Sequence, residues 1–515
     1  MKTALPVVVL SALALRPLRV YGDVKLPALF SDHMVLQAGA EVPVWGWAGP
    51  GERVTVAFRD QTVATTAGAD GTWKLTLQPL SPGRPDVMTV TGRNTLRLAN
   101  VAVGEVWLCA GQSNMVFRME SVLNARQEAA AADLPMIRCF TARGARSAEP
   151  QKDVSGRWSV ATPRSVPAFS AVGWFFARRI HEELKVPVGI IVAARGGTSI
   201  ETWMSLTALR SQPRFQPILE LWGRTLGTFR KQKEAYLAAL AVWERASRGA
   251  QQQDEPIPAK PKPPAFPSRF LLAGNYNALI APLAPYRIRG VLWYQGAAAA
   301  LRANVPKPVY RDNTGLYRDL QATLIADWRG LWGQGDFPFL VVQLPNFQHR
   351  MASPSRSTYA IVREAQLKTL SVPNAGMVVT LDVGKADDLH PPNKKPIGQR
   401  LALWALGTTY GRDLVYSGPL FKSASVEPGR IRLAFDHVGG GLAARGGGPL
   451  KGFTIAGEGR QFVPADAVIE RNTVVVSSPK VPAPVAVRYA WADNPDANLQ
   501  NKQGLPASPF RTDDW

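Results

Sequence analysis

The chain has 515 residues, 46% hydrophobic and 19% charged, a globular composition long enough for two to four domains and a sizeable core. Lysine and arginine (60) outnumber aspartate and glutamate (39), for a net charge of +21. That predicts a basic surface, but the basic residues are dispersed and no zinc-ligand or RNA-binding pattern accompanies them, so no nucleic-acid partner is expected.

Taken in order, Met1-Lys2-Thr3, the apolar run Ala4 to Leu15 and a stretch ending Val20-Tyr21-Gly22 have the form of a secretory signal peptide over residues 1–22, which predicts a secreted or periplasmic protein. No later segment is apolar for long enough to span a bilayer, so no membrane span is expected. Residues 23–103 read as a β-sandwich. Val42 to Trp47, Arg53 to Phe58 and Thr72 to Leu77 alternate or are β-branched, with turn signals at Gly49-Pro50-Gly51, Asp70-Gly71 and Pro82-Gly83.

From 104 to 410 apolar runs alternate with helical patterns, the signature of an α/β domain with a mostly parallel sheet. Buried strands are predicted at Val101 to Cys109, Val188 to Ala194, Gly290 to Tyr294, Phe339 to Gln343 and Gly376 to Leu381. Helices are predicted at Val116 to Asp133, Ala171 to Leu184, Tyr310 to Trp328, Tyr359 to Leu370 and Ile397 to Leu406. Residues 209–270, with charged and helical Phe229 to Arg248 and proline-rich Glu255 to Pro267, read as a surface insertion, partly extended or mobile. From 411 to 515 short strand patterns return, at Arg430 to Phe435, Thr473 to Ser477 and Val485 to Trp491, predicting a C-terminal β-rich domain. The two cysteines, Cys109 and Cys139, lie in apolar contexts; they either pair or stay as buried free thiols.

The chemistry centres on Gly111-Gln112-Ser113-Asn114-Met115, a tight turn between a buried strand and a helix. A serine there has either of two roles. It can cap the helix, or it can be a nucleophile with an exposed Oγ and a backbone N–H near a helix N-terminus, where negative charge is favoured. Among the five histidines, His390 stands out, in Asp387-Asp388-Leu389-His390-Pro391 on a loop after a strand end. That is the sheet edge where Ser113 is expected, and a carboxylate two or three residues earlier can orient the imidazole. His349 lacks a nearby carboxylate, and His33, His181 and His437 lie on flanks or a helix surface. Gly196-Gly197, after the strand Val188 to Ala194, offers backbone donors for an oxyanion. No His/Cys/Asp/Glu spacing suits a metal, so no catalytic metal or cofactor is expected.

Several blocks resemble one family. Gly104-Glu105-Val106-Trp107 through Gly111-Gln112-Ser113-Asn114-Met115 looks like the first block of the sialate O-acetylesterases, carbohydrate esterases of the SGNH hydrolase superfamily. Gly196-Gly197-Thr198-x-Ile200-Glu201-x-Trp203, Trp293-Tyr294-Gln295-Gly296 and Asp388-Leu389-His390-Pro391 resemble the blocks that follow, in family order, as do Asn275-Tyr276-Asn277 and Gln343 to Phe347. The resemblance implies a flavodoxin-like SGNH domain between β-rich flanks. It also implies removal of O-acetyl groups from carbohydrate, with Ser113 as nucleophile and His390 as base. The acid is Asp387 by the superfamily's Asp-x-x-His spacing, or Asp388 by the sialate esterase pattern. The implied oxyanion donors are Ser113, Gly196 and Gly197, and the implied substrate contacts are Gln112, Asn114, Glu201 and Gln295; Arg195 stands where the family commonly has Trp and is read as a contact that favours an anionic substrate. One block departs: where the family usually carries Glu-Ser-Asn, this chain has Ala297-Ala298-Ala299-Ala300. An impaired relative that binds acetylated or acidic glycan without useful turnover is therefore the alternative.

Overall fold

A computed structural model describes residues 22–301, 315–350 and 357–515. The expected signal peptide, save Gly22, and the start of the helix expected from Tyr310 lie outside the described residues.

Alternating side chains build the N-terminal strands. These are β1 (Val35–Gln37), β2 (Val42–Trp47), β3 (Arg53–Phe58), β4 (Gln61–Thr66), β5 (Thr72–Leu77), β6 (Gly83–Thr91) and β7 (Thr95–Gly111). β2 pairs antiparallel with β5, and β3 with β4 and β6. Their inward residues, among them Val42, Val44, Val54, Val56, Trp73 and Leu75, are buried, as period-two alternation requires. β7 is 17 residues long. Its first part pairs with β6, and its second part, buried without a break from Val101 to Gly111, is the middle of the central sheet. The boundary expected at 103/104 therefore falls inside one continuous strand.

The central sheet adds β8 (Leu134–Thr141), β9 (Trp158–Ala161), β10 (Val188–Ala194), β11 (Gly290–Tyr294), β12 (Phe339–Val342) and β13 (Ala375–Val378). The order is β13-β12-β11-β7-β10-β8-β9, parallel throughout except for the antiparallel edge strand β9. Counted along the chain, β7, β10, β11, β12 and β13 run 2-1-3-4-5, the flavodoxin-like order, with β8 and β9 added at the edge beyond β10. β8 lies outside β10, and its first residues are partly exposed there, whereas β10 is buried through Ala193. Chain connections leave β7 to one side and β11 to the other, so the crevice beyond their carboxyl ends is a topological switch point.

Side chains of β7 alternate between two cores. Trp107 and Cys109 join the helices Ala171–Leu184 and Lys395–Trp404 on one face. Val106, Leu108 and Ala110 join the helices Leu316–Trp332 and Thr358–Lys368 on the other. Both cysteines are buried free thiols. β10 lies between their strands, and two strand spacings, roughly 9.5 Å, exceed the Cα separation a disulfide bridges.

The Gly104-Glu105-Val106-Trp107 block serves the far end of the sheet. Glu105 is buried and accepts from Arg289 Nε (2.6 Å) and Nη2 (3.0 Å), Tyr410 Oη (2.9 Å) and Gln37 Nε2 (3.3 Å). One carboxylate thus ties the N-terminal strands, the sheet and the chain beyond the last central helix. The C-terminal region, short antiparallel strands between Leu420 and Arg511, is stitched on by Arg363. This fully buried guanidinium donates to the carbonyls of Leu344, Pro345, Ala492 and Asp493.

Two expectations need correction. Val116 to Asp133 is not one helix. It is a four-residue helix Ser113–Val116, a 3₁₀ turn Met119–Ser121 and a helix Ala125–Ala130. Tertiary backbone bonds divert it: Met119 N donates to Phe169 O (3.0 Å), Ala171 N to Phe117 O (2.8 Å) and Leu123 N to Pro392 O (3.3 Å). These outweigh the helix propensity of its Ala, Glu and Arg residues. The insertion is dominated by one 37-residue helix, Gln216–Gln252, longer than the charged stretch suggested and mostly exposed.

Candidate active site

The site begins where β7 ends. Gly111 has φ +134, and a Cβ there would fall on the Tyr294 carbonyl oxygen of the neighbouring strand. Only glycine takes this turn without strain. Gln112 N donates to Tyr294 O (2.9 Å) and Arg195 N to Gly111 O (2.9 Å), so the ends of three parallel strands are locked together. Ser113 is the first residue of its short helix; the cap position belongs to Gln112, with no side-chain cap bond. The helix-cap role for Ser113 is thereby excluded. Its Oγ instead lies 2.7 Å from His390 Nε2, hydrogen-bonding distance between groups 277 positions apart.

His390 sits on the loop between β13 and the helix Lys395–Trp404. Neither expected acid meets its ring. Asp388 Oδ1 accepts the backbone N–H of His390 (2.7 Å), a turn in which an aspartate bonds two residues on. Asp387 is exposed, and among the described residues its carboxylate has no hydrogen bond or ion pair. Burial lowers the His390 pKa from its ordinary 6.5, the charge of Lys394 lowers it further, and Asp388 pulls the other way.

Lys394, which sequence reasoning passed over, is fully buried beneath the pair. Its Nζ donates to Asn114 Oδ1 (2.5 Å) and stands over the rings of Phe117 (4.7 Å) and Tyr294 (5.8 Å). Burial brings its pKa down to about 7, with Asp388 opposing. The available signal was its place four residues after His390 in the same polar loop.

Most side chains expected to contact substrate are engaged within the protein. Gln112 donates to Thr198 O (2.8 Å) and accepts from Gly296 N (3.1 Å). Gln295 donates to the same Thr198 carbonyl (3.2 Å) and accepts from Tyr317 Oη (2.5 Å). Asn114 donates to Leu389 O (3.1 Å). All three are buried, as is Glu201. They tie together the loops after β7, β10, β11 and β13. Arg195 is half-buried and donates to Asn275 Oδ1 (3.0 Å) and to Gly144 O; burial, with Arg146 nearby, lowers its pKa. Gly196 is exposed beside the serine, where a Cβ would come 3.3 Å from Ser113 Cβ, and Gly197 turns the chain with φ +65.

A family profile described as carbohydrate esterase, sialic acid-specific acetylesterase, matches residues 103–238 and 274–406, just over half the chain. The chain belongs to this family. A carbohydrate acetylesterase from Xanthomonas citri is similar in structure, with a TM-score of 0.81 and 36% identity, covering 96% of this chain and 100% of that one. The sialate O-acetylesterase of Mus musculus is 28% identical over 467 residues, 80% of this chain and 79% of its own length. That of Homo sapiens is 28% identical over 435 residues, 77% and 73% respectively.

The chain after Gly296 (φ +136) forms the short helix Ala297–Leu301. Ala298, Ala299 and Ala300 are buried methyls there, with no side-chain donor. The other histidines lie elsewhere. His181 Nδ1 meets Val186 O (2.7 Å) at a helix end, His33 meets Asn100 (2.8 Å), His437 packs on Trp404 and Tyr416, and His349 is exposed. Among the described residues, no group of three or more His, Cys, Asp and Glu side chains forms a metal site, and no helix is long and apolar enough to cross a membrane.

Proposed function

We propose that the protein is an exported serine carbohydrate O-acetylesterase of the SGNH type. The observation that carries this reading is the 2.7 Å approach of His390 Nε2 to Ser113 Oγ at a switch point of the sheet. His390 takes the hydroxyl proton as Ser113 Oγ attacks the acetyl carbonyl. The backbone N–H groups of Ser113 and of Gly196 or Gly197 face the negative oxygen that develops. The sugar oxygen leaves with the proton from His390, forming an acetyl-serine. Water, losing a proton to His390, then attacks that ester and releases acetate. Asp388 fixes the His390 backbone and contributes a stabilising field for the imidazolium, without contacting the ring. Gln112, Asn114 and Gln295 position the loops. Arg195, with Arg146 nearby, keeps positive charge beside Gly196 and favours an acidic sugar.

The test is hydrolysis of an acetylated chromogenic ester. Ser113→Ala should reduce kcat by about a thousandfold or more. Turnover retained in Ser113→Ala removes the reading. The Ala297–Ala300 helix favours a second reading, a glycan binder with little turnover, because absence of one side-chain oxyanion donor costs on the order of a hundred- to a thousandfold. That reading predicts wild-type turnover at background with acetylated sugar still bound.

A further inference from the structure

We propose that Lys394 is a positioning residue for this site, its buried side chain clamping the turn that carries Ser113 to the loop that carries His390; the inference rests on the serine-esterase reading above. The clamp is a chain of two hydrogen bonds. Lys394 Nζ donates to Asn114 Oδ1 (2.5 Å), and Asn114 Nδ2 donates to the carbonyl of Leu389 (3.1 Å), the residue before His390. Asn114 follows Ser113 directly, so both ends of the 2.7 Å Ser113–His390 contact are held from below by one amide. The rings of Phe117 and Tyr294, at 4.7 and 5.8 Å from Nζ, supply the remaining attraction.

A fully buried lysine is rare without an ion-pair partner. Among the described residues Lys394 forms no salt bridge, whereas the next residue, Lys395, pairs with Glu128. An apolar side chain of similar length would fill the space without desolvating a charge, so a residue that costs stability here has its rationale in the site. The titratable groups facing the His390–Lys394 pair are few. Asp388, on the same loop, favours the charged form of both. Tyr294, on β11, is held neutral by burial. Lys395 is directed away, onto Glu128 (2.7 Å). The Lys394 charge therefore acts on His390 in favour of the neutral imidazole, the form that accepts the Ser113 proton.

The experiment compares Lys394→Met, Asn114→Ala and the double variant with wild type. Lys394→Met should lower kcat by on the order of ten- to a hundredfold with KM little changed. It should also move the acid limb of kcat/KM upward, towards the ordinary histidine value. The double variant should lose no more than the worse single variant, because both act through one chain of bonds. Imidazole proton NMR of His390 reads the same upward shift without turnover. A folded Lys394→Met with wild-type kcat and an unmoved His390 titration overturns the proposal. So does a kcat loss with an unmoved titration and additive single effects, which would make Lys394 merely structural. Should Lys394→Met fail to fold, Asn114→Ala with undiminished kcat overturns it alone. Turnover that survives Ser113→Ala removes the esterase reading itself, whereas Ser113-dependent turnover indifferent to Lys394 removes only the clamp.

Discussion

In the proposed mechanism His390 has to be neutral to take a proton from Ser113, and its surroundings favour that form. Burial is the largest influence, the Lys394 charge adds to it, and Asp388 only partly offsets them. Activity falls as the base becomes protonated, so the acid limb of kcat/KM should have its midpoint below 6.5. A limb at or above that value contradicts this electrostatic account. For stability the sign follows from proton binding. The depressed histidine binds its proton less readily when folded, so the fold loses stability as pH falls through 6.5. Lys394 acts in the same sense between 10.5 and about 7. The sequence pointed to Ser113 and His390 on one edge of the sheet, and the two do approach there; the local patterns alone left a helix cap and a plain loop histidine open, and it was the family blocks around both residues that singled them out. The choice of acid was not legible. The Asp-x-x-His spacing selects Asp387, but here an aspartate turn gives Asp388 to the backbone and leaves Asp387 in solvent. Lys394 was hard to single out because a lysine pair, Lys394-Lys395, in a polar loop reads as solvated, and the burial of Lys394 depends on Phe117 and Tyr294 arriving from two other segments.

At the scale of elements, the buried parallel strands were the most readable features. Val188–Ala194 and Gly290–Tyr294 begin and end where their apolar runs do, because a strand covered on both faces has no polar positions to blur it. The segment after Ser113 was not readable, since its path is set by backbone bonds to Phe169, Ala171 and Pro392 rather than by its own propensity. The order of strands was only partly accessible, because nothing local distinguishes β8 outside β10 from the reverse. The junction of β7 with the serine turn carries a sharp test. Gly111→Ala places a methyl against the Tyr294 carbonyl at a positive φ, and should destabilise the fold by about 3 kcal/mol or more. Chemical denaturation measures it; a loss under about 1 kcal/mol would show that the turn relaxes and is not what holds Ser113 in place.

Across the whole molecule, the site exists only because distant segments are held together. Glu105 joins the N-terminal strands, the sheet and Tyr410 at one end, and Arg363 fastens the C-terminal region to the helix Thr358–Lys368 at the other. Between them, four strand-end loops are tied by Gln112, Asn114 and Gln295. The net charge of +21 lies on this frame without defining it. The most direct measurement of the central claim is mass spectrometry of the acid-quenched enzyme during turnover of an acetylated ester. An acetyl group should appear on the peptide containing Ser113 and be absent in His390→Ala. Hydrolysis with no acetylated intermediate, or with acetyl on a different residue, contradicts the account.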